Sequence, residues 1–140
     1  MILFLETSNL VKLYVREKDS RAVRKSVEAA EAVATSVIAY AEARAAFARK
    51  LREKGISEEA HRHIKGALDR DWPRFFILNV SAGTAKMAGD LAEKRGLRGF
   101  DALHLASAVE LRAAGATGLR FSSADERLLA AARAEGFEPP

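Results

Sequence analysis

A chain of 140 residues, 49% of them hydrophobic, suits one domain over residues 1–140 with a buried core and needs no covalent staples. It has no cysteine, which excludes disulfides, thiolate zinc sites and thiol nucleophiles together and fits a reducing, cytoplasmic setting. Its 23 basic residues against 19 acidic ones give a formal charge of +4, a surplus that favours a polyanionic partner, although solvated helix faces also carry such charge.

The opening MILFLETSNLVKLYV is apolar, yet Glu6 and Lys12 interrupt it and it has neither a basic start nor a small-residue cleavage site. It therefore reads as a core strand, ILFL at residues 2–5, followed by a helix through Tyr14 that Thr7 or Ser8 can cap. No apolar run approaches the roughly 20 residues that cross a bilayer, so a membrane role is not expected. Asp19 or Ser20 can cap a second helix to about Ala30; AVAT then makes a brief strand, and Ser36 caps a long helix to Lys54 that Gly55 ends. Ser57 opens a helix to about Asp71, with Trp72-Pro73 as its breaker, and FFILNV from Phe75 to Val80 is the third buried strand. Ser81 starts a helix closed by Gly96, and Phe100 and Asp101 begin another that runs to about Ala114. After Gly115 and Gly118 come the strand LRFS, a last helix from Ala124 to Glu135, and a tail, FEPP, placed as an added edge strand.

Short buried strands alternating with helices imply an α/β fold, a parallel sheet of four to five strands between two helical layers, because parallel neighbours need crossover connections. Ligands of such sheets bind beyond the carboxyl ends of the strands. Glu6 and Asp125 fall at or just past such ends, and Glu42 and Asp101 come from early turns of helices facing the same crevice. Two carboxylates about 5 Å apart repel by roughly 3 kcal/mol at an effective dielectric of about 20, so four together need a cation or shared protons. An all-oxygen donor set favours Mg²⁺ or Mn²⁺ over zinc or copper.

Each of these residues has an ordinary alternative. Asp101 and Asp125 serve equally as helix N-caps, Glu42 is a good helix former, and Ser8 and Ser123 are either caps or hydrogen-bonding groups beside the acids. His104, one turn after Asp101, reads better as a partly buried histidine bonded to a neighbour than as a ligand, and His61 and His63 point to different sides of their helix, towards solvent. Lys12, Arg16, Arg44, Arg49, Lys50, Arg52, Arg95 and Arg98 are candidates for phosphate contacts, with Arg16 and Arg98 nearest the acidic blocks. Trp72, Phe75 and Phe76 are assigned to the core rather than to stacking on bases.

The blocks LFLETSNLVKLY, TSVIAYAEARAAFARKL, RGFDALHLASAVEL and FSSADERLLAAA resemble, in order and spacing, those of PIN-domain ribonucleases, in particular VapC-like toxins. The resemblance spans nearly the whole chain and implies a PIN-like three-layer α/β/α fold and a metal-dependent endoribonuclease of toxin–antitoxin type. It puts Glu6, Glu42, Asp101 and Asp125 at the family's acidic quartet, with Ser123 and Ser8 beside it, Mg²⁺ or Mn²⁺ as cofactor and water as nucleophile. It also implies an RNA substrate, a homodimer and a small antitoxin whose peptide enters the acidic crevice, with the helices at 36–54 and 57–71 offering it an apolar groove. One departure stands out: the family's usual Asp is Glu6 here, longer by one methylene, and Mg²⁺ demands near-ideal octahedral geometry. Glu6 then ligates by another rotamer or through water, or else marks a weakened or inactive enzyme that survives as an RNA- or protein-binding module.

Overall fold

The computed structural model describes residues 1–140. Strand β1 (Ile2–Leu5) leads into helix α1 (Thr7–Val11), then α2 (Ser20–Ala29), β2 (Ala32–Ser36), α3 (Ile38–Arg52) and α4 (Glu58–Asp71). A 3₁₀ turn at Trp72–Arg74 precedes β3 (Phe76–Leu78), α5 (Ala82–Arg95), α6 (Gly99–Ala113), β4 (Leu119–Ser122) and α7 (Glu126–Ala134). All four strands are parallel, in the order β3-β2-β1-β4. No helix is long and apolar enough to cross a membrane.

Alternation along the central strand divides the core in two, because successive side chains of a strand point to opposite faces. Leu3 and Leu5 meet Leu10, Val23, Phe47 and Leu68 from α1 to α4 on one face. Phe4, with Ala34 and Phe121 from the neighbouring strands, meets Leu91, Leu105, Leu128 and Phe137 on the other. The result is the expected helix–sheet–helix sandwich, with the rings of Phe4 and Phe121 stacked at 5.4 Å in its second core.

Several boundaries differ from the sequence reading, each for a local reason. Helix α1 is shorter than expected because Lys12, Leu13 and Tyr14 tighten into bonds to the third residue back, as at many helix ends. Neither Thr7 nor Ser8 caps it; the Glu6 side chain does. Asp19 adopts a left-handed φ of 67° and makes no side-chain cap, while Ser20 accepts from the Glu17 N–H at 2.9 Å instead. Lys54, at φ 59°, takes the left-handed position expected of Gly55. Gly96, at φ 66°, closes α5 as anticipated, and Ser57 and Ser81 cap their helices.

Strand β3 is three residues long, and Phe76 is 60% exposed rather than core: it shares a face with Leu78 but lies beyond the cover of the helices. The tail contributes one parallel bridge, Arg120 to Glu138, with the Phe121 N–H donating to the Glu138 carbonyl at 2.9 Å. Ala39, Ala43 and Phe47 of α3 and Ile64 and Leu68 of α4 are buried in the core, and a separate hollow runs along α5 and α6, lined by Ala85, Ala88, Gly89, Ala92, Phe100 and Leu103.

Phe4→Ala removes half of the stacked pair from a fully buried position and is expected to lower unfolding stability by about 3–5 kcal/mol in a urea titration. A loss below about 1 kcal/mol would mean that the second core closes around the cavity.

Candidate active site

The carboxyl end of β1 is pinned on both sides. The Glu6 N–H donates to the Ser122 carbonyl of β4 at 2.9 Å, and the Thr35 hydroxyl of β2 donates to the Leu5 carbonyl at 2.7 Å. Glu6 therefore leaves the sheet at a fixed point and turns its side chain back over the start of α1, where it is only 6% exposed. Its Oε2 accepts from the Ser8 N–H at 3.1 Å, the Ser8 hydroxyl at 2.5 Å and the Ser123 hydroxyl at 2.8 Å. Ser8 Oγ in turn accepts from the Ala124 N–H at 2.8 Å, and Ser123 Oγ from the Asp125 N–H at 3.0 Å. The two serines thus tie the end of β1 to the end of β4 through one carboxylate.

Asp125 caps α7, its Oδ1 accepting from the N–H groups of Arg127 at 2.9 Å and Leu128 at 3.1 Å. Asp101 stands in the first turn of α6 and is not its cap, a position that Arg98 holds. Instead Asp101 Oδ2 accepts from Arg98 Nε at 3.0 Å, and the same guanidinium reaches Asp125 Oδ2 at 3.8 Å. Three of the four acids sit at or next to helix N-termini, where the helix dipole favours negative charge.

Glu42 enters from α3. Its Oε1 accepts from the Thr7 hydroxyl at 2.7 Å and faces Nε2 of the fully buried His104 at 2.6 Å. A carboxylate and a hydroxyl are the neighbours of Nε2, so that nitrogen carries the hydrogen, while Nδ1 is buried without a partner. Burial alone would push the Glu42 carboxyl up; hydrogen bonds from His104 and Thr7, helped by electrostatic attraction to His104 and Arg98, outweigh it and hold the carboxyl below its ordinary range. Glu42 is accordingly ionised at neutral pH.

Glu6, Glu42, Asp101 and Asp125 line one cavity of about 480 Å³, together with Thr7, Ser8, Lys12 and Arg98. The donors are all carboxylate or hydroxyl oxygens, which suits a hard cation, and the Arg98 guanidinium already lies across Asp101 and Asp125 as a stand-in positive charge. The side chains are nonetheless spread in this arrangement: no three Asp, Glu or His groups are gathered closely enough to hold a metal ion.

The PIN domain family matches this chain over residues 3–134. Among curated proteins, Ribonuclease VapC45 of Mycobacterium tuberculosis (strain CDC 1551 / Oshkosh) is 34% identical over 139 residues, covering 96% of this chain and 92% of that protein. The chain belongs to the PIN-domain family. Solved structures agree on the fold. FitAcB from Neisseria gonorrhoeae aligns with a TM-score of 0.71 at 22% identity, covering 95% of this chain and 94% of the other. Mycobacterium tuberculosis VapC20, described as a sarcin-ricin loop cleaving toxin, aligns with a TM-score of 0.66 at 18% identity, covering 96% and 95%.

Within this PIN fold the sequence reading missed Thr7, taken only as a cap, and the link from His104 to Glu42; the bonded-histidine reading was right in kind, but the ring is wholly rather than partly buried. A hydroxyl directly after the first acid and a histidine one turn after the third were the available signals. Arg98, singled out for phosphate, here pairs with Asp101 and reaches Asp125. Of the other two histidines, His63 is exposed as expected and His61 is half-buried.

His104→Leu is expected to cost about 1–2 kcal/mol at neutral pH by denaturant titration, the discounted value of a hydrogen bond to a part-exposed carboxylate, and to move the Glu42 carboxyl upward in an NMR titration. His104→Gln, whose amide nitrogen can reach the same oxygen, is expected to keep most of both.

Proposed function

We propose that the protein is a divalent-metal-dependent endoribonuclease and the toxin of a VapBC-like toxin–antitoxin pair, acting as one PIN unit over residues 1–140. The observation that carries this reading is the meeting of Glu6, Glu42, Asp101 and Asp125 in a single cavity of a PIN-family chain whose 34%-identical relative is named a VapC ribonuclease. PIN-domain VapC ribonucleases depend in general on divalent metal; for this chain we assign the site to Mg²⁺, with Mn²⁺ as the alternative, on its oxygen-only donor set.

The four carboxylates are the residues that would hold the cation. A hard divalent ion, when bound, activates water and offsets the negative charge that develops on the phosphodiester. The chain's own groups do the positioning. Ser8 and Ser123 fix the Glu6 carboxylate, Thr7 and His104 fix that of Glu42, and the cap bonds of Asp125 leave its second oxygen turned to the cavity. Arg98, 80% exposed, offsets Asp101 and Asp125 in the resting state and is free to turn outward when another cation takes that place.

A small antitoxin and a homodimer complete the reading. Solved relatives include a toxin–antitoxin complex from Klebsiella pneumoniae, with a TM-score of 0.66 at 20% identity, and the exposed rings of Phe76 and Phe100 supply apolar surface for protein contacts.

A second reading, a PIN module that binds but does not cut, has its own support. Glu6 stands where the resembling blocks carry Asp, and its Oε2 is already taken by three donors. Structured RNA with Mg²⁺ or Mn²⁺ separates the two. Cleavage lost in EDTA and reduced by about two orders of magnitude or more in Asp101→Asn is the outcome expected of the enzyme. Binding of RNA by the wild-type chain with no cleavage in either metal would favour the module.

Two further substitutions address the cation itself. Glu6→Asp is expected to retain or raise Mg²⁺ affinity and cleavage, and a large loss in calorimetry would mean that the longer side chain is adapted to this site. Arg98→Ala removes an exposed positive charge that competes for Asp101 and Asp125, so Mn²⁺ is expected to bind more tightly in calorimetry; weaker uptake would show that Arg98 supports the site rather than competing for it.

A further inference from the structure

Beside the carboxylate cavity lies a second hollow, of about 410 Å³, whose charged lining is entirely basic: Lys12, Arg16, Arg21 and Arg24, with Leu13 and Tyr14 among the remaining walls. None of these four cations is within ion-pair distance of an acid. Asp71 reaches only the Tyr14 hydroxyl, from which it accepts at 2.9 Å, and the acids next in sequence are engaged elsewhere. Glu17 pairs with Lys50 at 3.5 Å, and Asp19 lines a different depression. The frame is held in place, since Ser20 accepts from the Glu17 N–H at 2.9 Å and donates to the Val15 carbonyl at 3.3 Å, closing the turn that carries Arg16.

Lys12 connects this hollow to the active site. It is 8% exposed, its one hydrogen bond is to the Lys18 carbonyl at 2.5 Å, and it borders both the basic hollow and the cavity of the four acids. An ammonium has three hydrogens to donate, so two are left without a protein partner. Four unpaired like charges in a concave surface repel one another and concentrate a positive field, an arrangement that a polyanion relieves. The cavity of the acids, by contrast, repels phosphate until a cation is bound, so a strand approaching it needs an anchor close by.

We propose that the hollow of Lys12, Arg16, Arg21 and Arg24 binds the phosphate backbone of single-stranded RNA on one side of the bond that is cut. This rests on the endoribonuclease reading above and adds to it the direction in which the strand leaves the site, past Lys12 and onto α2. Arg21 and Arg24, three apart on one exposed helix face, meet successive backbone charges, while the side chains of Leu13 and Tyr14 give a base an apolar surface. The contacts are to phosphate, so this subsite holds the strand without reading its sequence.

The test is binding of a fluorescently labelled single-stranded RNA to the full chain in EDTA, where nothing is cut, over a series of salt concentrations. Arg21→Ala/Arg24→Ala is expected to weaken binding by a similar factor on RNAs of different sequence. It should also reduce the slope of log K against log salt by about 1.4, the release expected from two contacts on a single strand. Arg21→Lys/Arg24→Lys, which keeps the charge, is expected to restore the slope, and Lys86→Ala/Arg133→Ala, on the opposite helical layer, to leave it unchanged. Matching unfolding midpoints for all the variants establish that the fold is kept. An unchanged slope in the alanine pair, with salt-dependent RNA binding by the wild type, overturns the subsite and leaves the nuclease reading standing. A loss seen with duplex DNA and not with RNA also overturns it. Absence of both RNA binding and RNA cleavage in the wild type would bring down the underlying reading as well.

Discussion

Repulsion among four carboxylates that line one cavity is the force that their surroundings are built to oppose. Each acid is matched to a different source of positive potential: hydroxyl and backbone donors for Glu6, a hydroxyl and an imidazole for Glu42, a guanidinium for Asp101, and the N-terminus of α7 for Asp125. None of these partners is a lysine or arginine buried for the purpose, and Arg98, the one full charge directly paired with the acids, lies on the surface. Every acid therefore has a partner, yet the lining of the cavity keeps an excess of acidic over basic side chains. A hard cation fits that residue of uncompensated charge better than it would fit a fully neutralised cluster.

The parallel sheet is what makes this gathering economical in chain length. Because every strand runs the same way, every strand-to-helix junction falls on one edge, and a helix N-terminus accompanies each. Glu6 and Asp125 come from two such junctions on adjacent strands, β1 and β4, which is why a pair of serines can join them. Glu42 and Asp101 reach in from helices on opposite faces of the sheet, and His104 of α6 meets Glu42 of α3 across its edge.

Much of this was legible in the chain because its cause is local. The runs ILFL and LRFS are buried on both faces, and such runs read as continuous apolar stretches; the Gly at 96 and the serines at 57 and 81 mark helix ends by their own stereochemistry. What escaped depends on contacts between distant segments. Thr7 follows a strand and precedes a helix, so a capping role was the natural reading until Glu42, 35 residues away, claimed its hydroxyl. Glu6 caps α1 although glutamate is not a favoured cap; the closing of β1 on β4 brings Ser123 to a carboxylate that the neighbouring Ser8 already holds. Phe76 carries the composition of a core residue; that it sits beyond the reach of α5 and α6 follows from where the sheet stops, which no window of sequence contains.

The tail also bears on how copies of this chain can meet. Its bridge to β4 covers part of one rim of the sheet, while β3 presents the other rim with three residues and an uncovered ring. The tail thus narrows the stretch of β4 open to a further strand, and β3 offers only three residues at the opposite border, so neither border presents the long flat template on which strands add one after another.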